Sequence, residues 1–265
     1  MNYQIRELEF SEVLDQSIEL FRDHYKAFMA VLILLQGPVI VATAWIMVNL
    51  PTMENLPGSS FTPAEINLFI VFIVLLVLYA FLLPFTESAI AHIVDNAYMG
   101  KKTSLGQALK YSFGMAFPLI ITCILVYGMI LLGTVLCVFP GLVLYLFSLF
   151  TVQVVTIERT SYVAAIKRSF SIFKNNAGTI ILTGLVIIFL GMMVGSFRYF
   201  FPVGWWQELV GASADVMMTG VAAIAKTVLY FSTRCRSEGM DLEMMADSFT
   251  RVADGRSPES AASMP

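Results

Sequence analysis

The stretch from residue 67 to residue 94 decides the fold, and it reads NLFIVFIVLLVLYAFLLPFTESAIAHIV. A helix that crosses a bilayer needs about 20 predominantly apolar residues, and this run exceeds that length. Thr62 and Pro63 precede the run as an N-cap and a proline in the first helical turn. The stretch therefore predicts a transmembrane helix.

Five further apolar runs predict helices of the same kind. They cover residues 27–50, 115–138, 142–157, 178–197 and 212–231. Pro140 and Gly141 are expected to form a tight turn between the third and fourth spans. Only 13% of the residues are charged, whereas soluble domains carry roughly 25%. We predict an all-α integral membrane protein with about six transmembrane helices in three hairpins.

Lysine and arginine residues cluster on alternate sides of these spans, so they predict the orientation. One cluster precedes the first span, and the others follow the second, fourth and sixth spans. In chain order their members are Arg6, Arg22 and Lys26; Lys101, Lys102 and Lys110; Arg159, Lys167, Arg168 and Lys174; and Arg234, Arg236, Arg251 and Arg256. The opposite loops contain no lysine and one arginine, Arg198. Because positively charged loops stay in the cytoplasm, both termini are predicted to be cytoplasmic.

An internal repeat precedes two of the hairpins. Residues 103–113 read TSLGQALKYSF and residues 160–170 read TSYVAAIKRSF. A weaker copy at residues 10–28 matches in pattern only. Each copy predicts an amphipathic helix along the cytoplasmic membrane interface, with Ser104 and Ser161 as N-caps. Convergence of short amphipathic helices on similar residues is the alternative explanation.

The repeat defines the expected domain organisation. A polytopic membrane domain covers residues 1–247, with repeat units at about 10–98, 103–157 and 160–232. Residues 248–265 are rich in Ser, Ala and Pro, which predicts a disordered cytoplasmic tail. The candidate contacts to lipid headgroups are Lys110, Lys167 and Arg168.

Charged groups inside a membrane are costly, so they mark candidate functional sites. Glu87 is the deepest acid, His92 and Asp95 follow on the same helix, and Lys226 lies at a comparable depth in the sixth span. We predict an ion pair between Glu87 and Lys226. In the functional hypothesis Glu87 is a proton or cation site, and the alternatives are a structural ion pair or an acid near the membrane interface.

Several classes of protein are not indicated by the sequence. The net charge of −3 carries no nucleic-acid signature. The sequence lacks the HExxH, P-loop, GxSxG and CxxC motifs, so no enzyme activity, cofactor or metal is predicted. The cysteines Cys123, Cys137 and Cys235 are expected to be small apolar residues without a disulfide.

The segment Leu229–Glu243 reads LYFSTRCRSEGMDLE, and it resembles the ending LYYDxRxRxEGxDLE of a bacterial multipass family. This group is similar to the membrane domain of some glycerophosphodiester phosphodiesterases, together with uncharacterised relatives. Glu158 and the segment 165–169, AIKRS, resemble further family positions. Ser232 departs from the family, which often has Asp there. The resemblance implies a multipass protein of the bacterial cytoplasmic (inner) membrane, without phosphodiesterase activity because that domain is missing.

Two functional hypotheses follow. The first is a non-catalytic membrane protein with an accessory, scaffolding or membrane-organising role, whose partners are membrane lipids and, as a further option, another membrane protein. The alternative is a transporter or lipid-handling protein with a polar site near Glu87 and Lys226. A continuous polar cavity would favour the alternative, and a closely packed interior would favour the first hypothesis.

Overall fold

A computed structural model describes residues 8, 10–49, 62–101, 103–202 and 204–238 of the chain. Within these residues the protein is all-α, and no strand occurs. Six of the helical segments are long and apolar enough to cross a membrane. The predicted class, an all-α multipass membrane protein, is confirmed. The predicted disordered tail lies outside the described residues.

The described helices differ widely in length, from the 3 residues of the shortest to the 36 residues of the longest. They are α1 (Phe10–Asp23), α2 (Tyr25–Asn49), α3 (Pro63–Tyr98), α4 (Leu105–Gly114), α5 (Ala116–Leu136), α6 (Val138–Phe147), α7 (Thr151–Gln153), a π-helical segment (Val154–Glu158), α8 (Tyr162–Ser196), a short 3₁₀ turn (Phe197–Phe200) and α9 (Trp205–Glu238). Helices α2 and α3, α5 and α6, and α8 and α9 pack against each other as three consecutive hairpins. Helices α2 and α9 also pack together, which joins the first hairpin to the last.

Two of the predicted helix starts have the expected capping geometry. Thr62 and Glu65 form a reciprocal capping box at the start of α3, and Ser104 and Gln107 form another at the start of α4. Each box satisfies two backbone N–H groups that a helix leaves without an internal partner. Ser161 occupies the N-cap position of α8, but its side chain makes no capping hydrogen bond.

The predicted turn at Pro140 and Gly141 is wrong. Cys137 alone forms the turn, in an extended conformation, whereas Pro140 and Gly141 lie inside α6. Gly141 is required for packing, because an added Cβ would lie 2.1 Å from Thr134 Oγ1 and 2.9 Å from its Cα. The glycine therefore allows α5 and α6 to approach closely.

The fourth span is irregular, and the fifth is longer than predicted. Between Val138 and Glu158 the chain changes from α6 through turns to α7 and then to a π-helical segment. Helix α8 begins at Tyr162 and is interrupted only by the non-helical Asn176, so the second repeat copy runs into its spanning helix. The first copy is separated from α5 by Met115.

The buried core is concentrated at one end of the bundle, which we call the short-helix end. Here α1, α4, the start of α8 and the end of α9 meet, and fully buried residues include Leu20, Ala108 and Tyr230. At the opposite, hairpin end, large apolar side chains such as Leu136 (83% exposed) and Phe200 (82% exposed) face outward. An apolar exterior of this kind suits hydrocarbon rather than water.

The two repeat copies occupy similar environments at the short-helix end. Ser112 is buried and donates to Ser88 Oγ, and Ser169 is buried and donates to the Phe147 carbonyl. The next residue in each copy is a phenylalanine that contacts a ring on the preceding spanning helix: Phe113 on Phe85 and Phe170 on Phe147. That the copies arose by duplication stays a prediction.

Candidate functional site

Glu87 on α3 and Lys226 on α9 form the ion pair that the sequence predicts. The Lys226 ammonium contacts Glu87 Oε1, and the two side chains are only 18% and 17% exposed. On either side of Glu87, Thr86 and Ser88 are completely buried. A charge in such surroundings is costly unless it is paired. The contact therefore neutralises two buried charges and joins two spanning helices that are distant in sequence.

His92 and Asp95, the other predicted members of this site, are further along α3. The His92 ring stacks on Tyr111 of α4, with centroids 3.9 Å apart and planes 2° apart, and Asn96 Nδ2 lies 3.1 Å from its Nε2. Asp95 is half-buried one turn beyond His92. The proposed four-residue site is thus an ion pair plus a separate contact between α3 and α4. Among the described residues no cluster suits a metal ion.

Glu158 is the centre of a larger polar cluster, which we call the Glu158 cluster. Arg168 on α8 donates to Glu158 through Nε, at 3.1 Å from both carboxylate oxygens, and through a terminal nitrogen at 3.1 Å from Oε1. The Tyr230 hydroxyl donates to Oε1 at 2.7 Å, and Arg234 Nε lies 3.5 Å from the same oxygen. One carboxylate therefore connects the π-helical segment with α8 and α9.

The Glu158 cluster contains residues from each part of the predicted family resemblance. Glu158 follows the fourth span, Arg168 belongs to the AIKRS segment, and Tyr230 and Arg234 belong to the carboxy-terminal motif. Ser232, where the family often has Asp, is buried, accepts from the Leu8 amide at 2.9 Å and lies 3.3 Å from its carbonyl. A hydroxyl can both donate and accept, whereas a carboxylate only accepts, so serine suits this position.

The three predicted headgroup contacts differ in their surroundings. Lys110 and Lys167 are exposed, on α4 and α8. Arg168 is held by Glu158, and its side chain is 31% exposed. A headgroup role thus remains a prediction, and the lysines are better placed for it than the arginine.

A cavity of about 250 Å³ lies at the hairpin end, between α2, α3 and α9. Its polar lining residues include Thr43, Tyr79, Arg198 and Asp215, and Arg198 donates to Asp215 Oδ2 at 2.7 Å. Neither Glu87 nor Lys226 lines it.

Gln36 lies on α2, seven residues before the cavity residue Thr43 and therefore on the same helix face. Its side chain is completely buried, and neither polar atom of its amide has a hydrogen-bond partner among the residues that the structure describes.

Sequence reasoning missed Tyr111, Tyr230 and Arg234 as site residues. Tyr230 and Arg234 are four residues apart, a spacing that places two side chains on one helix face. This spacing in the carboxy-terminal motif was an available signal. For Tyr111 no local signal existed, because its partners His92 and Thr156 are remote in sequence.

Comparisons with family models, with curated proteins and with solved structures found no match to this chain. The resemblance to the phosphodiesterase membrane domains therefore remains a prediction from short motifs. The multipass membrane class rests on the six apolar helices.

Proposed function

We propose that this chain is a non-catalytic membrane protein with an accessory, scaffolding or membrane-organising role. The observation that supports this role is that the largely buried charges form ion pairs with one another. Glu87 is paired with Lys226, and Glu158 is paired with Arg168 and Arg234. These contacts join helices from different hairpins. A transport pathway would need polar groups that are free to exchange partners, whereas these groups stabilise one arrangement.

We propose that the accessory role is carried out at the short-helix end. It carries the exposed lysines Lys110 and Lys167, and it is the cytoplasmic end if the positive-inside rule applies. In this proposal the chain lies in the bacterial cytoplasmic membrane with both termini inside. Its partners are membrane lipids and a second membrane protein, with no nucleic acid.

In-cell photo-crosslinking tests the accessory role. A photoreactive residue replaces Gly106 on α4, where an added Cβ meets no described atom within 4 Å. The matched control position is Leu132, which is exposed on α5 in the apolar exterior. The proposal expects a discrete protein adduct from position 106 and none from position 132. Lipid adducts alone at both positions would contradict a protein-directed role.

The second candidate function is transport or lipid handling, and the cavity at the hairpin end favours it. Asp215, which lines the cavity, and Lys226 are eleven residues apart on α9. This spacing places both residues on the same helix face, about 16 Å apart along the helix axis. A path from the cavity would therefore point toward the Glu87–Lys226 pair.

Thiol labelling distinguishes this candidate. In a chain without native cysteines, an open path makes both Thr43→Cys and Gln36→Cys accessible to a small, membrane-impermeant thiol reagent. A closed interior leaves Gln36→Cys unlabelled, while Thr43→Cys in the cavity reacts.

A further inference from the structure

A second cavity, of about 470 Å³, opens at the short-helix end between α3, α4 and the turn that precedes α8. His92, Gln107, Lys110, Tyr111 and Arg159 contribute its polar lining. We call it the basic groove. None of its lining residues is acidic, so its side chains carry positive charge or are neutral.

The floor of the basic groove is held in place by contacts between elements. The Tyr111 hydroxyl donates to the Thr156 carbonyl at 2.6 Å, which ties α4 to the π-helical segment. His92 stacks on one side of the Tyr111 ring, and the Arg159 guanidinium carbon lies 5.8 Å from the ring centroid. A cation near an aromatic face is attracted by the ring quadrupole, so Arg159 is positioned rather than freely mobile.

The backbone at Arg159, which lines the groove, has an unusual conformation. Arg159 has a φ of 55°, in the left-handed region that residues with side chains seldom adopt. It directly follows Glu158, whose carboxylate is already occupied by Arg168 and Tyr230. Among the described residues, the Glu158 carboxylate contacts Arg168, Arg234 and Tyr230 and forms no ion pair with Arg159.

Gln107 supplies a further donor. Its Oε1 accepts from the Ser104 amide in the capping box, which leaves the side-chain NH₂ for another acceptor. In the part of the chain that the structure describes, no ion pair includes Lys110 or Arg159. The groove therefore combines two cations that form no ion pair among the described residues, an amide donor and an aromatic floor.

We propose that the basic groove binds a phosphate group, carried either by an anionic phospholipid headgroup or by a soluble phosphate. A guanidinium offers paired N–H donors that match phosphate oxygens, and an ammonium adds a point charge. The inference rests on the proposed function in one respect, since it assumes that the short-helix end meets the cytoplasmic headgroups. It goes further by assigning a ligand class to particular side chains.

The repeat provides a matched control. Lys167 is the counterpart of Lys110 in the second copy, and it is also exposed on the same end of the bundle, but it does not line the groove. General attraction of basic residues to an anionic surface would make the two lysines equivalent. A built site makes only Lys110 important.

The test uses the full chain in nanodiscs of phosphatidylcholine with a minority of phosphatidic acid, and native mass spectrometry counts the retained lipids. The variants are Lys110→Gln/Arg159→Gln and the control Lys167→Gln. A second arm titrates inorganic phosphate into the detergent-solubilised chain and follows its melting temperature. The proposal expects retention of phosphatidic acid by the wild type and by Lys167→Gln, and roughly tenfold weaker retention by the double variant.

The arms identify the source of the phosphate. Selective retention of phosphatidic acid assigns a lipid headgroup, and stabilisation by inorganic phosphate that the double variant loses assigns a soluble ligand. Equal behaviour of the wild type and the double variant in both arms overturns the proposal. Crosslinking from position 106 in the double variant distinguishes failure of the phosphate site from failure of the accessory role. A protein adduct that persists in the double variant would leave the accessory role intact even when the phosphate site fails.

Discussion

Replacing Glu158 with glutamine removes one negative charge from the centre of the Glu158 cluster while preserving the shape of the side chain. The carboxylate accepts from Arg168 in a paired geometry and from the Tyr230 hydroxyl, with Arg234 nearby. The amide keeps one oxygen acceptor and presents N–H donors where Arg168 also donates. We therefore expect Glu158→Gln to destabilise the contacts among the π-helical segment, α8 and α9.

The magnitude follows from burial. Removing one member of a buried ion pair costs about 3–5 kcal/mol, because the remaining charge is left without compensation. The Glu158 side chain is 16% exposed, but those of Arg168 and Arg234 are 31% and 21% exposed. Water can therefore recover part of the loss, and we expect a decrease of about 2–3 kcal/mol in the free energy of unfolding.

Equilibrium unfolding in mixed micelles, followed by circular dichroism, measures this decrease. The control is Glu65→Gln, which alters a partly exposed carboxylate that accepts from the Thr62 amide at 2.7 Å. Since glutamine also serves in a capping box, we expect less than about 0.5 kcal/mol there. If Glu158→Gln proves as stable as Glu65→Gln, the cluster does not hold the helices together and the reasoning is refuted.

Three further changes test other parts of the account by the same unfolding measurement. Glu87→Gln and Lys226→Gln should each destabilise the protein by about 2–4 kcal/mol, and the double variant should lose less than the sum; strict additivity would show that the pair contributes no coupling. Gly141→Ala should cost about 1–3 kcal/mol through overlap with α5, whereas Gly128→Ala, where an added Cβ meets no atom within 4 Å, should be neutral or slightly stabilising. Gln36→Leu should stabilise the protein by about 1–2 kcal/mol, because it removes a buried amide that has no partner in the described part of the chain; a loss of stability would indicate that the amide has a role in the fold.

The membrane class followed from the sequence because long apolar runs are local features. The run at residues 67–94 became part of α3, and the capping box at Thr62 marked its start. The details of the fourth span could not be predicted from the sequence. A Pro-Gly pair predicts a turn, but proline is also tolerated in a first helical turn. Only the close approach of α5 shows that Gly141 serves packing.

Part of the candidate site could also be predicted from features of the sequence. Comparable depth in the membrane was enough to pair Glu87 with Lys226. Glu158 and the AIKRS segment that contains Arg168 were noted in the sequence for their family resemblance, and the structure joins them in the Glu158 cluster. Arg159 instead lies near Tyr111, and Arg234 arrives from α9. The left-handed backbone at Arg159 and the packing of the last helix are tertiary features, which neither periodicity nor charge spacing encodes.

Native mass spectrometry of the chain released gently from its own membrane tests the central proposal most directly. The accessory role predicts a stoichiometric complex with another membrane protein, one that survives release together with surrounding lipid. A solitary chain that retains one specific small molecule would contradict that role and establish transport or lipid handling as the better account.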